Sequence, residues 1–145
     1  MSKNKIIEAL TGTMNIDPDE YSPITSPNRV ASLSYAIAGW LYMLRRQKNT
    51  RIQAVASVLV VLIGLWLEID TTSWAILILA ITIVWMAEFV NAAVEAAINL
   101  ASSEWHPMAK VGKDVASAAV LLGVFASILI GILILGPPLI DKLGI

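Results

Sequence analysis

Long runs of apolar residues, separated by short polar stretches, dominate the pattern along this chain. Three runs are apolar and long enough to predict membrane-spanning helices, since about 20 such residues cross the hydrocarbon core of a bilayer. They cover residues 52–69, 74–100 and 115–135. Before them, over residues 28–48, apolar positions recur every three or four residues, which indicates an amphipathic helix along the membrane surface. The pattern predicts an all-α membrane protein with one surface helix and three spans.

The segments outside these helices are polar or contain prolines. Residues 1–27 are interrupted by several prolines and predict a flexible cytoplasmic tail. Pro137 and Pro138 are expected to end the last span, because proline interrupts the hydrogen bonding of a helix. The membrane domain is therefore expected over residues 28–136, followed by a short C-terminal tail at residues 137–145.

The composition agrees with a membrane protein and argues against other classes. The 145 residues are 57% hydrophobic and 14% charged, with a mean hydropathy of +0.74, which is too apolar for an ordinary soluble domain. A net charge of -1 argues against a nucleic-acid partner. The absence of cysteine removes disulfides and thiol chemistry.

Charged residues around the first span predict its orientation. Basic residues precede the span and acidic residues follow it, namely Arg45, Arg46, Lys48 and Arg51, then Glu68 and Asp70. Because cytoplasmic loops carry an excess of Lys and Arg, the start of this span is expected in the cytoplasm. The N-terminus is then cytoplasmic, and the chain crosses the membrane several times.

The second span carries polar side chains that a membrane helix rarely retains. Glu88, Asn91 and Glu95 have the spacing i, i+3 and i+7, so they share one face of a helix. Even insertion-based scales give a cost of roughly 2.5–3.5 kcal/mol for an acidic side chain at the bilayer centre. Such groups usually serve an ion, a proton or a substrate. The alternative is that both carboxylates emerge into water at the helix end.

The start of the third span adds Lys113 and Asp114 to the same cytoplasmic zone. Carboxylates and a lysine near an aqueous rim suit a nucleotide with its Mg²⁺, because oxygen ligands hold the metal and lysine neutralises phosphate. A deeper carboxylate can take a proton from a lipid hydroxyl. These residues fit phosphoryl transfer onto a membrane alcohol, and they also leave a proton or ion pathway open.

The order and spacing of these residues resemble the small prokaryotic diacylglycerol kinase and undecaprenol kinase family. The matching stretches are Glu88-Phe-Val-Asn91-Ala-Ala-Val-Glu95, Ser103-Glu104-Trp105-His106-Pro107 and Lys113-Asp114-Val-Ala-Ser117. The resemblance covers about residues 28–135. It implies a homotrimer in the bacterial inner (plasma) membrane, with active sites shared between subunits. It also implies ATP with Mg²⁺ as the phosphate donor and a membrane lipid as the acceptor.

The resemblance implies a role for particular side chains. Glu88 looks like the catalytic base on the lipid hydroxyl, and Glu95 looks like a magnesium ligand. Ser117 matches a small residue near the lipid substrate. The residues expected to bind the nucleotide are Tyr35, Asn91, Glu95, Glu104, His106, Lys113 and Asp114.

The main departure from the family pattern concerns the metal. Gln47 stands where the family usually has a second magnesium-binding glutamate. An amide oxygen can coordinate magnesium but brings no charge, so the metal affinity is expected to fall. The alternative function is therefore a catalytically weakened relative that binds nucleotide or lipid without efficient transfer. The choice between diacylglycerol and undecaprenol stays open, because no residue in the sequence indicates the length or branching of the acceptor's hydrocarbon chain.

Overall fold

Every regular element in the described part of the chain, residues 28–101 and 104–144 of a computed structural model, is an α-helix. The four helices are α1 (Arg29–Arg46), α2 (Lys48–Leu67), α3 (Thr71–Ala101) and α4 (Pro107–Leu143). The prediction of an all-α chain with one helix before three long apolar helices is confirmed. The predicted N-terminal tail, residues 1–27, lies outside the described residues.

The chain divides into two units, with the boundary inside α1 between Trp40 and Leu41. In the first unit, the side-chain oxygen of Asn28 accepts a hydrogen bond of 2.9 Å from the backbone N–H of Ala31. This contact caps the N-terminus of α1, because the first N–H groups of a helix have no partner within it. The second unit contains α2, α3 and α4.

The helices α2, α3 and α4 are each long and apolar enough to cross a membrane, with 20, 31 and 37 residues. Only 17%, 22% and 6% of their most apolar stretches are buried within the chain. Contiguous exposed apolar surface on this scale is unfavourable in water and marks a membrane or protein contact. The three helices therefore present faces suited to lipid or to further copies of the chain.

A short polar turn joins α2 to α3. A carboxylate oxygen of Asp70 accepts hydrogen bonds from the backbone N–H groups of Thr72 at 2.8 Å and Ser73 at 3.2 Å. The Ser73 hydroxyl also donates to this carboxylate. These bonds, the Ser73 hydroxyl first among them, lower the pKa of Asp70 below its usual value. The charged form of Asp70 thus caps α3, and this stabilisation is lost only when the pH falls through the lowered pKa.

Close packing of α3 against α4 fixes their register. Gly123 faces Val84, and a Cβ at Gly123 would lie 3.8 Å from the Cα of Val84. The hydroxyl of Ser127 donates a hydrogen bond of 3.1 Å to the carbonyl of Ala80. Small residues allow such an approach between membrane helices. In this antiparallel register, the C-terminal half of α3 lies beside the first turns of α4.

The C-terminal end of α4 differs from the prediction. The helix continues through Pro137 and Pro138 to Leu143, so the expectation that these prolines begin a separate tail is wrong for the described residues. The fixed φ of proline is compatible with a helix, although each proline removes one hydrogen bond. Lys142 also anchors the helix end. Its ammonium donates to the carbonyl of Trp66 at 2.5 Å and lies 5.1 Å from the centre of the Trp66 ring.

Candidate functional site

Glu88 is a buried carboxylate on α3, with only 3% of its surface exposed. The side chain of Asn49, from the first turn of α2, forms a hydrogen bond with it. The oxygen Oε2 of Glu88 is buried and has no hydrogen-bond partner among the described residues. The carboxylate is therefore held by α2 and keeps one oxygen for another group. Sequence reasoning missed Asn49, because nothing in the local pattern pairs it with a residue so far along the chain.

The polar face predicted on α3 extends from Glu88 towards α4. Asn91 and Glu95 are both half-buried. The hydroxyl of Ser117, on α4, lies 3.5 Å from the side-chain oxygen of Asn91, at the limit of a hydrogen bond. Glu95 lies close enough to Glu88 for their charges to interact. The structure thus brings Asn91 and Ser117 together between α3 and α4, on the face of α3 that also carries Glu88 and Glu95.

An open cavity of about 430 Å³ lies where the end of α3 meets the start of α4. We call it the polar cavity. It is lined by Ile98, Asn99, Glu104, Trp105, His106, Ala109, Lys110, Lys113 and Asp114. Four residues predicted to bind the nucleotide therefore line one cavity, namely Glu104, His106, Lys113 and Asp114.

Two lysines and two carboxylates line the polar cavity. The ammonium of Lys113 donates a hydrogen bond of 2.7 Å to the side-chain oxygen of Asn99, and Lys110 forms an ion pair with Asp114 one turn away. Exposed ion pairs contribute little to stability, so an anionic ligand can compete for Lys110. Sequence analysis missed Lys110 as a site residue, although its spacing of four from Asp114 predicts their contact.

His106 has a structural role that the sequence did not indicate. Its Nδ1 accepts a hydrogen bond of 3.2 Å from the backbone N–H of Met108, which caps the N-terminus of α4. Pro107 occupies the first position of the helix, where its missing N–H is not needed. Because Nδ1 is engaged in this cap, the other ring nitrogen is the one that can contact a ligand.

Two further predicted residues, Tyr35 and Gln47, have no described contact that tests their predicted roles. Tyr35 belongs to the first unit and is 57% exposed. Gln47 lies between α1 and α2 in an extended conformation, and its side chain does not hydrogen-bond to the start of α2. The predicted roles of Tyr35 at the nucleotide and of Gln47 at the metal stay predictions.

The described residues of one chain do not form a complete metal site. Among them, no three Asp, Glu, His or Cys side chains lie close enough together to hold an ion. Mg²⁺ usually takes one or two protein carboxylates and completes its shell with phosphate and water. Glu95, with the amide of Asn91 one turn before it, fits such a partial site.

Comparisons with known proteins identify related chains. The family model described as prokaryotic diacylglycerol kinase matches residues 34–135. A diacylglycerol kinase of Synechocystis is 34% identical over 117 residues, which cover 80% of this chain and 67% of that protein. An undecaprenol kinase of Bacillus subtilis is 34% identical over 95 residues, 66% of this chain and 77% of that protein. A diacylglycerol kinase of Escherichia coli K12 is 34% identical over 79 residues, 54% of this chain and 65% of that protein.

Proposed function

Because the chain belongs to the prokaryotic diacylglycerol kinase family, whose members are membrane lipid kinases, we propose that it transfers the γ-phosphate of ATP to the hydroxyl of diacylglycerol or undecaprenol. One observation supports this proposal most strongly. Glu88 is buried on α3. The polar cavity lies at the C-terminal end of the same helix, where the two lysines at the start of α4 also line it. Asn99 lies eleven positions after Glu88 on α3, a rise of about 16 Å at 1.5 Å per residue. A lipid hydroxyl at Glu88 and a nucleotide reaching from the cavity can therefore meet.

In the proposed reaction, the free oxygen of Glu88 accepts the proton of the lipid hydroxyl. The hydroxyl oxygen forms a bond to the γ-phosphorus, and the bond from that phosphorus to the β–γ bridging oxygen breaks. The products are the lipid phosphate and ADP. Phosphoryl transfer depends mainly on positioning and on neutralising charge. Lys113 supplies positive charge to the phosphates, and Asn91 orients them.

The metal in this proposal is Mg²⁺, and Glu95 is its ligand from α3. Phosphoryl transfer by kinases generally needs a divalent metal, which would offset the negative charge of the phosphates here. Glu95 suits this role because it is half-buried on the face that leads from Glu88 to the polar cavity. Glu104, His106 and Asp114 contact the nucleotide in the polar cavity, and the family resemblance assigns Tyr35 to the same ligand.

In this proposal, the protein lies in the bacterial inner membrane with its N-terminus in the cytoplasm. The basic residues at the start of α2 and the acidic residues at its end support this orientation. The polar cavity then faces the cytoplasm, where ATP is found. Ser117, beside Asn91, lies on the path of the lipid hydroxyl.

The working form in this proposal is a homotrimer with active sites completed between subunits. The low burial of the apolar stretch of α4, 6%, supports further helix contacts. We expect light scattering of the detergent-solubilised protein to give a polypeptide mass of about three times 15.6 kDa. A polypeptide mass of one chain, in preparations that retain activity, would refute the trimer.

Lipid-dependent release of ADP tests the proposed function. Purified protein receives ATP and Mg²⁺, with and without diacylglycerol or undecaprenol, and ADP is measured over time. We expect ADP release only when an acceptor lipid is present. Equal release without lipid would identify an ATPase and contradict the proposal.

Gln47→Glu tests the position that departs from the family pattern. A second carboxylate near the metal should lower the Mg²⁺ concentration needed for half-maximal rate, because an anionic ligand binds Mg²⁺ more tightly than an amide. We expect a several-fold decrease in a magnesium titration of turnover, with little change at saturating metal. Thr71→Glu, which adds the same charge at the exposed first residue of α3, serves as the control for added charge.

The same variant separates the proposal from the alternative of a weakened relative. None of the relatives supports that alternative, since each carries a kinase name. A sharp increase in turnover of Gln47→Glu at saturating Mg²⁺ would nevertheless indicate that Gln47 limits the native enzyme.

A further inference from the structure

Three buried side-chain oxygens lack a hydrogen-bond partner within the described parts of the chain. They are Oγ1 of Thr50, Oε1 of Gln53 and Oε2 of Glu88. Thr50 is fully buried, and Glu88 is 3% exposed. Buried polar atoms in folded proteins are nearly always hydrogen-bonded. Three exceptions on two neighbouring helices therefore indicate a polar ligand that these atoms receive.

The three oxygens belong to one region of the α2–α3 contact. The hydrogen bond between Asn49 and Glu88 joins the first turn of α2 to this level of α3. Thr50 follows Asn49 directly, and Gln53 lies one turn beyond it on the same side of α2. Trp85, one turn before Glu88 on α3, lines a cavity together with Gln53. Of the three residues with unpartnered oxygens, Gln53 is therefore the one that reaches this cavity.

This second cavity is almost entirely apolar and has a volume of about 380 Å³. We call it the apolar cavity. It is lined by Ile52, Gln53, Ala56, Ser57, Val60, Ile81, Val84, Trp85, Val124, Ser127, Ile128 and Gly131, from α2, α3 and α4. Its volume lies within the range of small-molecule sites, which combine an apolar lining with a few polar groups.

Gln53 differs from the other polar residues of the apolar cavity. The indole N–H of Trp85 donates to the hydroxyl of Ser57 at 3.1 Å, and Ser127 donates to a backbone carbonyl. These polar groups are already paired. Among the polar residues that line the apolar cavity, the side-chain oxygen of Gln53 is the buried atom left without a partner in the described structure.

We propose that the apolar cavity binds the part of the acceptor lipid next to its reacting hydroxyl, and that Gln53 is a specificity-determining residue that favours glycerolipids. This inference rests on the proposed function. A glycerolipid carries an ester or a second hydroxyl within a few bonds of its reacting hydroxyl. The amide of Gln53 can accept from a hydroxyl or, after rotation about its terminal bond, donate to an ester carbonyl.

A polyprenol offers no such group, because only hydrocarbon follows its hydroxyl. Its binding would leave the buried amide of Gln53 without a partner. Sites built to hydrogen-bond a substrate group discriminate against analogues that lack the group, because the site's polar atoms are then left unpaired. The wild-type protein should therefore have a higher kcat/KM for diacylglycerol than for undecaprenol.

Gln53→Leu tests this role, since leucine has a similar size and no polar atom. We expect kcat/KM for diacylglycerol to fall about tenfold, as for the loss of one buried hydrogen bond. The value for undecaprenol should change less than about twofold. Ser57→Ala is the control in the same cavity, and it should affect both acceptors equally. Equal losses on the two lipids in Gln53→Leu, or a wild-type preference for undecaprenol, would overturn the inference.

A binding measurement separates this inference from the proposed function. Diacylglycerol with brominated acyl chains quenches a nearby tryptophan, and Trp85 lines the apolar cavity. The fluorescence of Trp85 is obtained by subtracting the fluorescence of Trp85→Phe from that of the wild-type protein. We expect quenching of this signal, and weaker quenching in Gln53→Leu at the same lipid concentration. Quenching without phosphate transfer would refute the proposed function alone, whereas transfer without quenching of Trp85 would refute the apolar cavity as the lipid site.

Discussion

Glu88→Gln is expected to reduce turnover by about 10²–10⁴-fold, the usual contribution of a general base. Glutamine has nearly the same shape and keeps an oxygen that can accept the hydrogen bond from Asn49. It cannot take up the proton of the lipid hydroxyl. The loss should therefore fall on kcat, while the KM for ATP stays close to that of the wild type. Steady-state rates at varied ATP and lipid concentrations measure both values.

Glu68→Gln is the matched control for this variant. Both variants replace a glutamate by a glutamine, but Glu68 is an exposed residue at the C-terminal end of α2, far along that helix from Asn49. We expect wild-type turnover in Glu68→Gln. Both variants should elute from a sizing column like the wild type. Full turnover in Glu88→Gln would exclude Glu88 as the base.

Lys113→Met should lower kcat/KM for ATP by about 10²–10³-fold, the range seen when one stabilising donor is removed from a reaction centre. The ammonium of Lys113 lies at the polar cavity and bonds to Asn99. Methionine keeps the length of the side chain and removes its charge. The phosphates then lose a fixed positive charge, which both positions them and stabilises the transferring group.

Lys142→Met controls for the loss of one lysine. Lys142 lies at the end of α4, where it contacts Trp66. Its substitution should lower thermal stability but leave the KM for ATP unchanged. Equal changes in kcat/KM for Lys113→Met and Lys142→Met would show that general destabilisation, rather than phosphate binding, explains the first variant.

The sequence predicts those features that follow from helical periodicity and from short connections. Glu88, Asn91 and Glu95 share a face because their spacing matches the helical repeat. Lys113 approaches Asn99 because a short loop turns the chain back, so that the start of α4 lies beside the end of α3. Both arrangements are local consequences of helix length and loop length.

Features that depend on packing between distant segments could not be predicted. The contact of Asn49 with Glu88 and the unpartnered oxygen of Gln53 require the register of α2 against α3. No local pattern encodes that register. The continuation of α4 past Pro137 was likewise hidden, since the contact of Lys142 with Trp66 near its end joins residues that are far apart in the sequence.

The most direct test of the account follows labelled phosphate from ATP into lipid. Purified protein in detergent receives γ-labelled ATP, Mg²⁺, and diacylglycerol or undecaprenol in parallel reactions, and the organic phase is analysed for product. We predict a labelled lipid phosphate, with more product from diacylglycerol, and a rate of its formation that is at least about a hundredfold lower in Glu88→Gln. Absence of labelled product from both lipids, in protein that still binds ATP, would contradict the claim that this chain is an active lipid kinase.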